Sequence, residues 1–215
     1  MMQFKEKLNK FLNNEIKFLD KNIYVGGHSK GGNLAMTASM CAKKHIKRKI
    51  VKIYNNDGPG FRLRQINSAD YKNMLPKLRT FVPEESIVGL LLRHPKDLKV
   101  IKSSGMGIFQ HNANNWRCYG PIFIEGNLSK NSEELDKKIL SWLNRHDDTQ
   151  RKKMVDTIFE VLEKCEITKI SQIRQFKLSR IIKMLKISKD IDKESKDLII
   201  SALKVIILKD DYFIK

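Results

Sequence analysis

Gly27-His28-Ser29-Lys30-Gly31 follows a short β-rich run, Ile23-Tyr24-Val25, and leads into Leu34, Ala35, Ala38, Cys41 and Ala42, which recur at helical spacing with small side chains. A serine hydroxyl is a weak nucleophile until a base takes its proton and its backbone holds Oγ clear of its neighbours. A tight strand-to-helix turn does the second job, and glycines on either side, Gly27 and Gly31, allow the close backbone approach that such a turn demands. The same turn aims the Lys30 backbone N–H at the place where a tetrahedral oxyanion would form, beside the positive end of the helix. G-x-S-x-G alone turns up by composition in roughly one chain of this length in fifteen, so the strand before it and the helix after it carry the argument. The plain alternatives are a glycine-rich or phosphate-binding turn whose serine does no chemistry.

In this architecture the base and acid follow the nucleophile in the order Ser, acid, His. Of five histidines, His28 lies inside the turn and is expected to point away, His45 ends a basic segment, His94 precedes Pro95 and His146 sits at a polar helix end. His111, in Phe109-Gln110-His111-Asn112 after a glycine-rich loop, is the candidate base. The acid is expected at a strand end, where a carboxylate fixes the imidazole tautomer. Glu84 and Glu85 follow the strand Leu78–Val82, and Glu85 fits the usual strand order best. Asp57 follows the strand Ile50–Tyr54; in Asp57-Gly58-Pro59-Gly60 it reads more readily as a turn-former, yet it remains a rival.

The elements that must carry these residues read as an α/β chain. Strands are predicted over Ile23–Val25, Ile50–Tyr54, Leu78–Val82 and Leu98–Lys102, with short runs at Trp116–Tyr119 and Ile122–Glu125. Phe4, Leu8, Phe11, Leu12, Ile16 and Leu19 predict a leading amphipathic helix. From Asn131, with Glu134 three residues on, a capping box predicts a helix whose apolar face is Leu135, Ile139, Trp142 and Leu143. Asp148 is expected to cap another, with a stripe of Met154, Val155, Ile158, Phe159 and Leu162. The domains follow as 1–147, carrying the site, and 148–215, a helical C-terminal extension.

Taken together, Gly27-His28-Ser29-Lys30-Gly31-Gly32-Asn33-Leu34-Ala35, Asn56-Asp57-Gly58-Pro59-Gly60-Phe61, Val82-Pro83-Glu84-Glu85-Ser86-Ile87-Val88-Gly89 and Gln110-His111 ahead of Trp116 resemble the bacterial lipase-like family labelled Mbeg-like, a domain of unknown function similar to the class 3 lipases of the α/β-hydrolase superfamily. The resemblance covers roughly residues 15–165. It implies a partial α/β-hydrolase sheet, from the nucleophile elbow onward, with a helical tail; Ser29 as nucleophile; His111 as base; and a small-molecule or lipid ester as substrate. Where class 3 lipases carry an aspartate before a hydrophobic pair, this chain has Ser86, which leaves Glu85, Glu84 or Asp57 to serve as acid. Only 28 residues precede Ser29, too few for the strands and the second oxyanion donor that such a fold places there. The expectation is a truncated hydrolase of low activity, since one missing donor costs on the order of 10²–10³ in rate.

Composition sets the limits. The 215 residues carry 42 Lys and Arg against 24 Asp and Glu, a formal charge of +18, with 41% hydrophobic residues. The charge favours anionic partners and the apolar content suffices for a core. No apolar run reaches the length of a membrane span, and the charged N-terminus lacks a signal-peptide core, so a cytoplasmic location is expected. Cys41, Cys118 and Cys165 form no close pair, which argues against a zinc site or disulfide framework and for reduced, buried thiols. No cofactor and no metal are expected. Residues Ile167 to Lys189 hold seven basic residues and no acidic one, and Lys177, Arg180 and Lys183 would suit an anionic membrane surface, although a solvated basic face is commoner. The rival to the hydrolase is therefore a catalytically inactive remnant or basic module binding anionic lipid or nucleic acid, nucleic acid being the less favoured.

Overall fold

The structure, a computed structural model, describes residues 22–95, 97–164 and 191–207 together with Lys10. The expected helices over residues 2–20 and Ile167–Lys189, with Lys177, Arg180, Lys183 and Cys165, fall outside them, Lys10 excepted. The chain divides into two compact units, Met1–Asp136 and Lys137–Lys215.

The first unit opens on β1 (Ile23–His28), which passes through Ser29 into α1 (Lys30–Cys41); α2 (Lys44–Lys49) then leads to β2 (Ile50–Asn56). Two short helices, α3 (Leu63–Ile66) and α4 (Ala69–Met74), and a 3₁₀ turn precede β3 (Leu78–Pro83). After β4 (Leu98–Ile101) come two further 3₁₀ turns, Gly107–His111 and Ala113–Asn115, and a hairpin of β5 (Cys118–Tyr119) and β6 (Ile122–Phe123). Strands β1 to β4 form one parallel sheet in sequence order. Parallel pairing requires a crossover between successive strands, and α1–α2 and α3–α4 supply the first two.

One face of this sheet is buried. Met36 and Met40 of α1, Ile46 of α2, Ile50 and Ile53 of β2, Tyr71 and Met74 of α4, Phe61 and Leu78 pack into a single apolar cluster. On the other face Tyr54 stacks on Phe81, Phe81 meets Phe123 of the hairpin, and Phe123 meets Trp116 edge-on. That face is thinly covered at β1, where Tyr24 is 62% exposed. The two faces explain why β1 alternates half-buried and exposed along its length.

The four main strands lie where the hydrophobic runs predict them, each within a few residues. The short helices α2, α3 and α4 escape the sequence reading, because four to six residues are too few to show a helical period. Asn131 is not the cap of the next helix, α5 (Lys130–Arg145): Ser129, just before it, accepts the Ser132 N–H through its hydroxyl. Likewise α6 (Asp148–Lys164) is capped one residue before Asp148. The Asp147 carboxylate accepts the Gln150 N–H while the Gln150 side chain accepts the Asp147 N–H, a reciprocal box. Val155, placed in the apolar stripe by spacing, is exposed, and so are Cys41 and Cys118, which are expected to be buried thiols.

In the second unit α5 buries Ile139, Trp142 and Leu143, the expected face. Trp142 donates its indole N–H to Ser201 of α7 (Lys193–Ile207), at 2.9 Å. Among the described residues no helix is long and apolar enough to cross a membrane.

Candidate active site

In a parallel sheet every strand delivers its C-terminal end to the same edge, and loops leaving that edge collect side chains from distant parts of the chain. Here Ser29 leaves β1, Asp57 leaves β2, Glu84 and Glu85 leave β3, and the loop carrying His111 follows β4. The register pairs His28 with Asn56, and the Ser29 N–H donates to the Asn56 carbonyl at 2.9 Å, so the residues that follow, Ser29 and Asp57, start from adjacent strand ends.

Ser29 sits at φ 57°, ψ −130°, a conformation that residues with a side chain rarely adopt and that costs about 1–3 kcal/mol. It occupies the N-cap position of α1, where a serine ordinarily turns its hydroxyl onto a backbone N–H of the first turn; this hydroxyl makes no such bond. Its hydroxyl is therefore not spent on capping the helix. The Gly32 N–H instead closes the turn on the Ser29 carbonyl at 2.9 Å, with the Lys30 N–H at the positive N-terminal end of the helix.

The glycines divide differently from the G-x-S-x-G expectation. A Cβ at Gly27 would lie 2.3 Å from the Gly31 carbonyl, which no side chain survives, whereas a Cβ at Gly31 would meet nothing within 4 Å. Gly32 and Gly58 carry further close approaches, each to the Asn55 side chain, at 2.1 and 2.3 Å, and Gly58 also to the Ser29 carbonyl at 2.4 Å. Gly31 is thus a consequence of the motif rather than a steric need.

His111 donates its Nδ1–H to Asp57 Oδ2 at 2.6 Å, a bond that fixes the neutral ring in the tautomer whose Nε2 is free to accept a proton. The Asp57 carboxylate is fully buried. Its second oxygen, Oδ1, accepts the Ser86 hydroxyl at 2.5 Å and the Gly89 N–H at 3.0 Å. A buried carboxylate holds its charge only when such donors replace water. Asp57 also has a positive φ, 48°, so among the described residues two of the three non-glycine positions in that region are Ser29 and Asp57; the third is Leu92.

The structure thus brings His111 to Asp57 and not to Glu85. Glu85 accepts the Gly107 N–H through its carboxylate, and Glu84 accepts the Ser103 N–H at 3.3 Å; both brace the loop after β4 from beneath. Nor is Asp57 the turn-former. That role falls to Asn55, whose amide accepts from the Gly58 N–H at 3.0 Å and donates to the Gly58 carbonyl at 3.1 Å, while Asn33 ties the Pro59 and Gly60 carbonyls to α1. His28 does not point away: its Nε2–H donates to the His111 carbonyl at 2.7 Å and the two rings lie 4.5 Å apart. Gln110, buried beside it, accepts the Glu85 N–H and donates to the Gly105 carbonyl, and the Trp116 indole donates to the Gln110 carbonyl. Asn33, Ser86, Gly89 and Gln110 act through hydrogen bonds across 25 to 32 residues, for which spacing offers no signal. No cluster of three His, Cys, Asp or Glu side chains suited to a metal occurs among the described residues.

Chemically, this edge offers a strained serine whose hydroxyl is not spent on capping the helix, an imidazole oriented by a buried carboxylate, and the N-terminus of a 12-residue helix. The Mbeg1-like family pattern matches residues 2–160. No curated protein and no solved structure matches the chain.

Proposed function

The chain belongs to the Mbeg1-like family, and from that premise and the geometry of its sheet edge we propose that it is a serine hydrolase cleaving an acyl ester, with Ser29 as nucleophile, His111 as base and Asp57 as the orienting acid. The chain order Ser29, Asp57, His111 and the parallel order β1 to β4 support an arrangement of the α/β-hydrolase kind. The observation that carries the reading is the His111–Asp57 bond at the strand end adjoining the strained Ser29.

In the first step His111 Nε2 takes the Ser29 hydroxyl proton as Oγ attacks the ester carbonyl carbon. The Lys30 N–H donates to the oxyanion that forms. Collapse breaks the ester C–O bond, and the proton passes from His111 to the departing alcohol. Water then attacks the acyl-serine, giving its proton to His111; the acyl–Oγ bond breaks as that proton passes from His111 to Ser29 Oγ, and the carboxylic acid leaves. Asp57 stays ionised throughout and stabilises the imidazolium.

Hydrolysis of p-nitrophenyl esters that disappears in Ser29→Ala supports this reading. Equal rates in the two proteins contradict it.

A further inference from the structure

Asp57 emerges from a turn at positive φ, fully buried, and must hold one oxygen against His111. Nothing in its own turn restrains the carboxylate, because Asn55 supplies the turn's side-chain bonds. The restraint comes from the segment after β3. Ser86, 1% exposed, bonds Oδ1 at 2.5 Å, and Gly89 donates its N–H to the same oxygen. The Ser86 N–H in turn donates to the Pro83 carbonyl at the end of β3, which fixes the serine to the sheet. Space is equally tight: a Cβ at Gly89 would fall 2.3 Å from Asp57 Oδ1 and 2.9 Å from the Ser86 hydroxyl oxygen.

We infer that Ser86 is a positioning residue, whose hydroxyl together with the Gly89 N–H locks the Asp57 carboxylate so that only Oδ2 faces His111. This rests on the proposed hydrolase reading for its catalytic meaning, whereas the lock itself is independent of turnover. A carboxylate freed from Oδ1 restraint rotates about its terminal bond, which is broad and roughly two-fold, and presents either oxygen to the imidazole. Two donors on one oxygen remove that freedom, and charge-assisted hydrogen bonds are the strong kind.

The test uses the full chain and two readouts. The first is the low-field proton resonance of the His111 Nδ1–H, assigned by its loss in Asp57→Asn. The second is the rate of covalent labelling by a fluorophosphonate across pH, per folded protein by circular dichroism. In Ser86→Ala the resonance shifts or exchanges away, labelling slows roughly tenfold, as losing a partner that orients a functional group does, and the acidic limb of the pH profile moves. Ser86→Thr, which keeps the hydroxyl, stays within about threefold of the wild type. A Ser86→Ala protein with the wild-type resonance and profile overturns the inference, as does a Ser86→Thr that behaves like Ser86→Ala. A wild type that shows the resonance yet never labels, with the resonance altered in Ser86→Ala, upholds the lock and overturns the hydrolase instead.

Discussion

The turn that holds Ser29 is specified largely by its neighbours in sequence, whereas the pair it would work with, Asp57 and His111, is assembled across 54 residues. In the first region Gly27 packs against Gly31 and the Gly32 N–H closes the turn on the Ser29 carbonyl, both inside six residues. In the second, four segments meet: the end of β2 brings Asp57, the loop after β3 brings Ser86 and Gly89, the 3₁₀ turn before Asn112 brings His111, and β1 brings His28 beneath it. The backbone strain of Ser29 therefore sits in its own turn, whereas the Asp57 carboxylate depends on several hydrogen bonds from elsewhere in the chain.

That contrast can be broken or sharpened by substitution. The largest effect is expected at the acid. Asp57→Asn leaves the carboxamide's shape but removes the charge that stabilises the imidazolium, and fluorophosphonate labelling should fall on the order of 10²–10⁴-fold. Glu85→Gln keeps an acceptor for the Gly107 N–H, and its labelling rate should stay within about threefold; the reverse order of the two would return the acid to Glu85.

Next comes the steric difference between the two motif glycines. Gly27→Ala forces a methyl into the Gly31 carbonyl and should destabilise the chain by about 1–3 kcal/mol or prevent folding. Gly31→Ala meets open space inside a helix and should be neutral or stabilising by up to about 1 kcal/mol. Urea midpoints of the two variants measure this, and similar losses in both would contradict the packing described for the turn.

The smallest effect lies away from the edge. Burial works against a charged His94, but the hydrogen bond and the charge of Asp136, at 3.1 Å, outweigh it and hold the imidazole above its ordinary value near 6.5. A raised folded value stabilises the protonated form, so this contribution is complete below about pH 6.5 and is lost as pH rises through the folded value. The stability difference between wild type and His94→Gln should accordingly shrink from pH 6 towards pH 8, by less than about 1 kcal/mol for a partly exposed pair. A difference that grows over that interval would contradict the ion pair.

The same contrast explains what could be read from the residues alone. Ile23–Val25, Ile50–Tyr54, Leu78–Val82 and Leu98–Lys102 are apolar runs bounded by turn residues, and their strands follow from local pattern. So does the elbow, because G-x-S-x-G and its flanking elements are contiguous. Strand order favours Glu85 and reads Asp57 as a turn-former, yet His111 meets Asp57; both stand at strand ends on the same sheet edge, and the donors from residues 86 and 89 that hold the Asp57 carboxylate lie beyond a linear reading. The sequence likewise points His28 away from the site when it in fact turns towards His111, for a related reason. Its direction depends on a backbone carbonyl 83 residues away.

The most direct measurement is intact-mass and peptide mapping of the chain after exposure to a fluorophosphonate, with Ser29→Ala in parallel. The account predicts one adduct, on the peptide holding Ser29, and none on the variant. A folded wild type that stays unmodified, or an adduct that maps elsewhere and persists in Ser29→Ala, would contradict it.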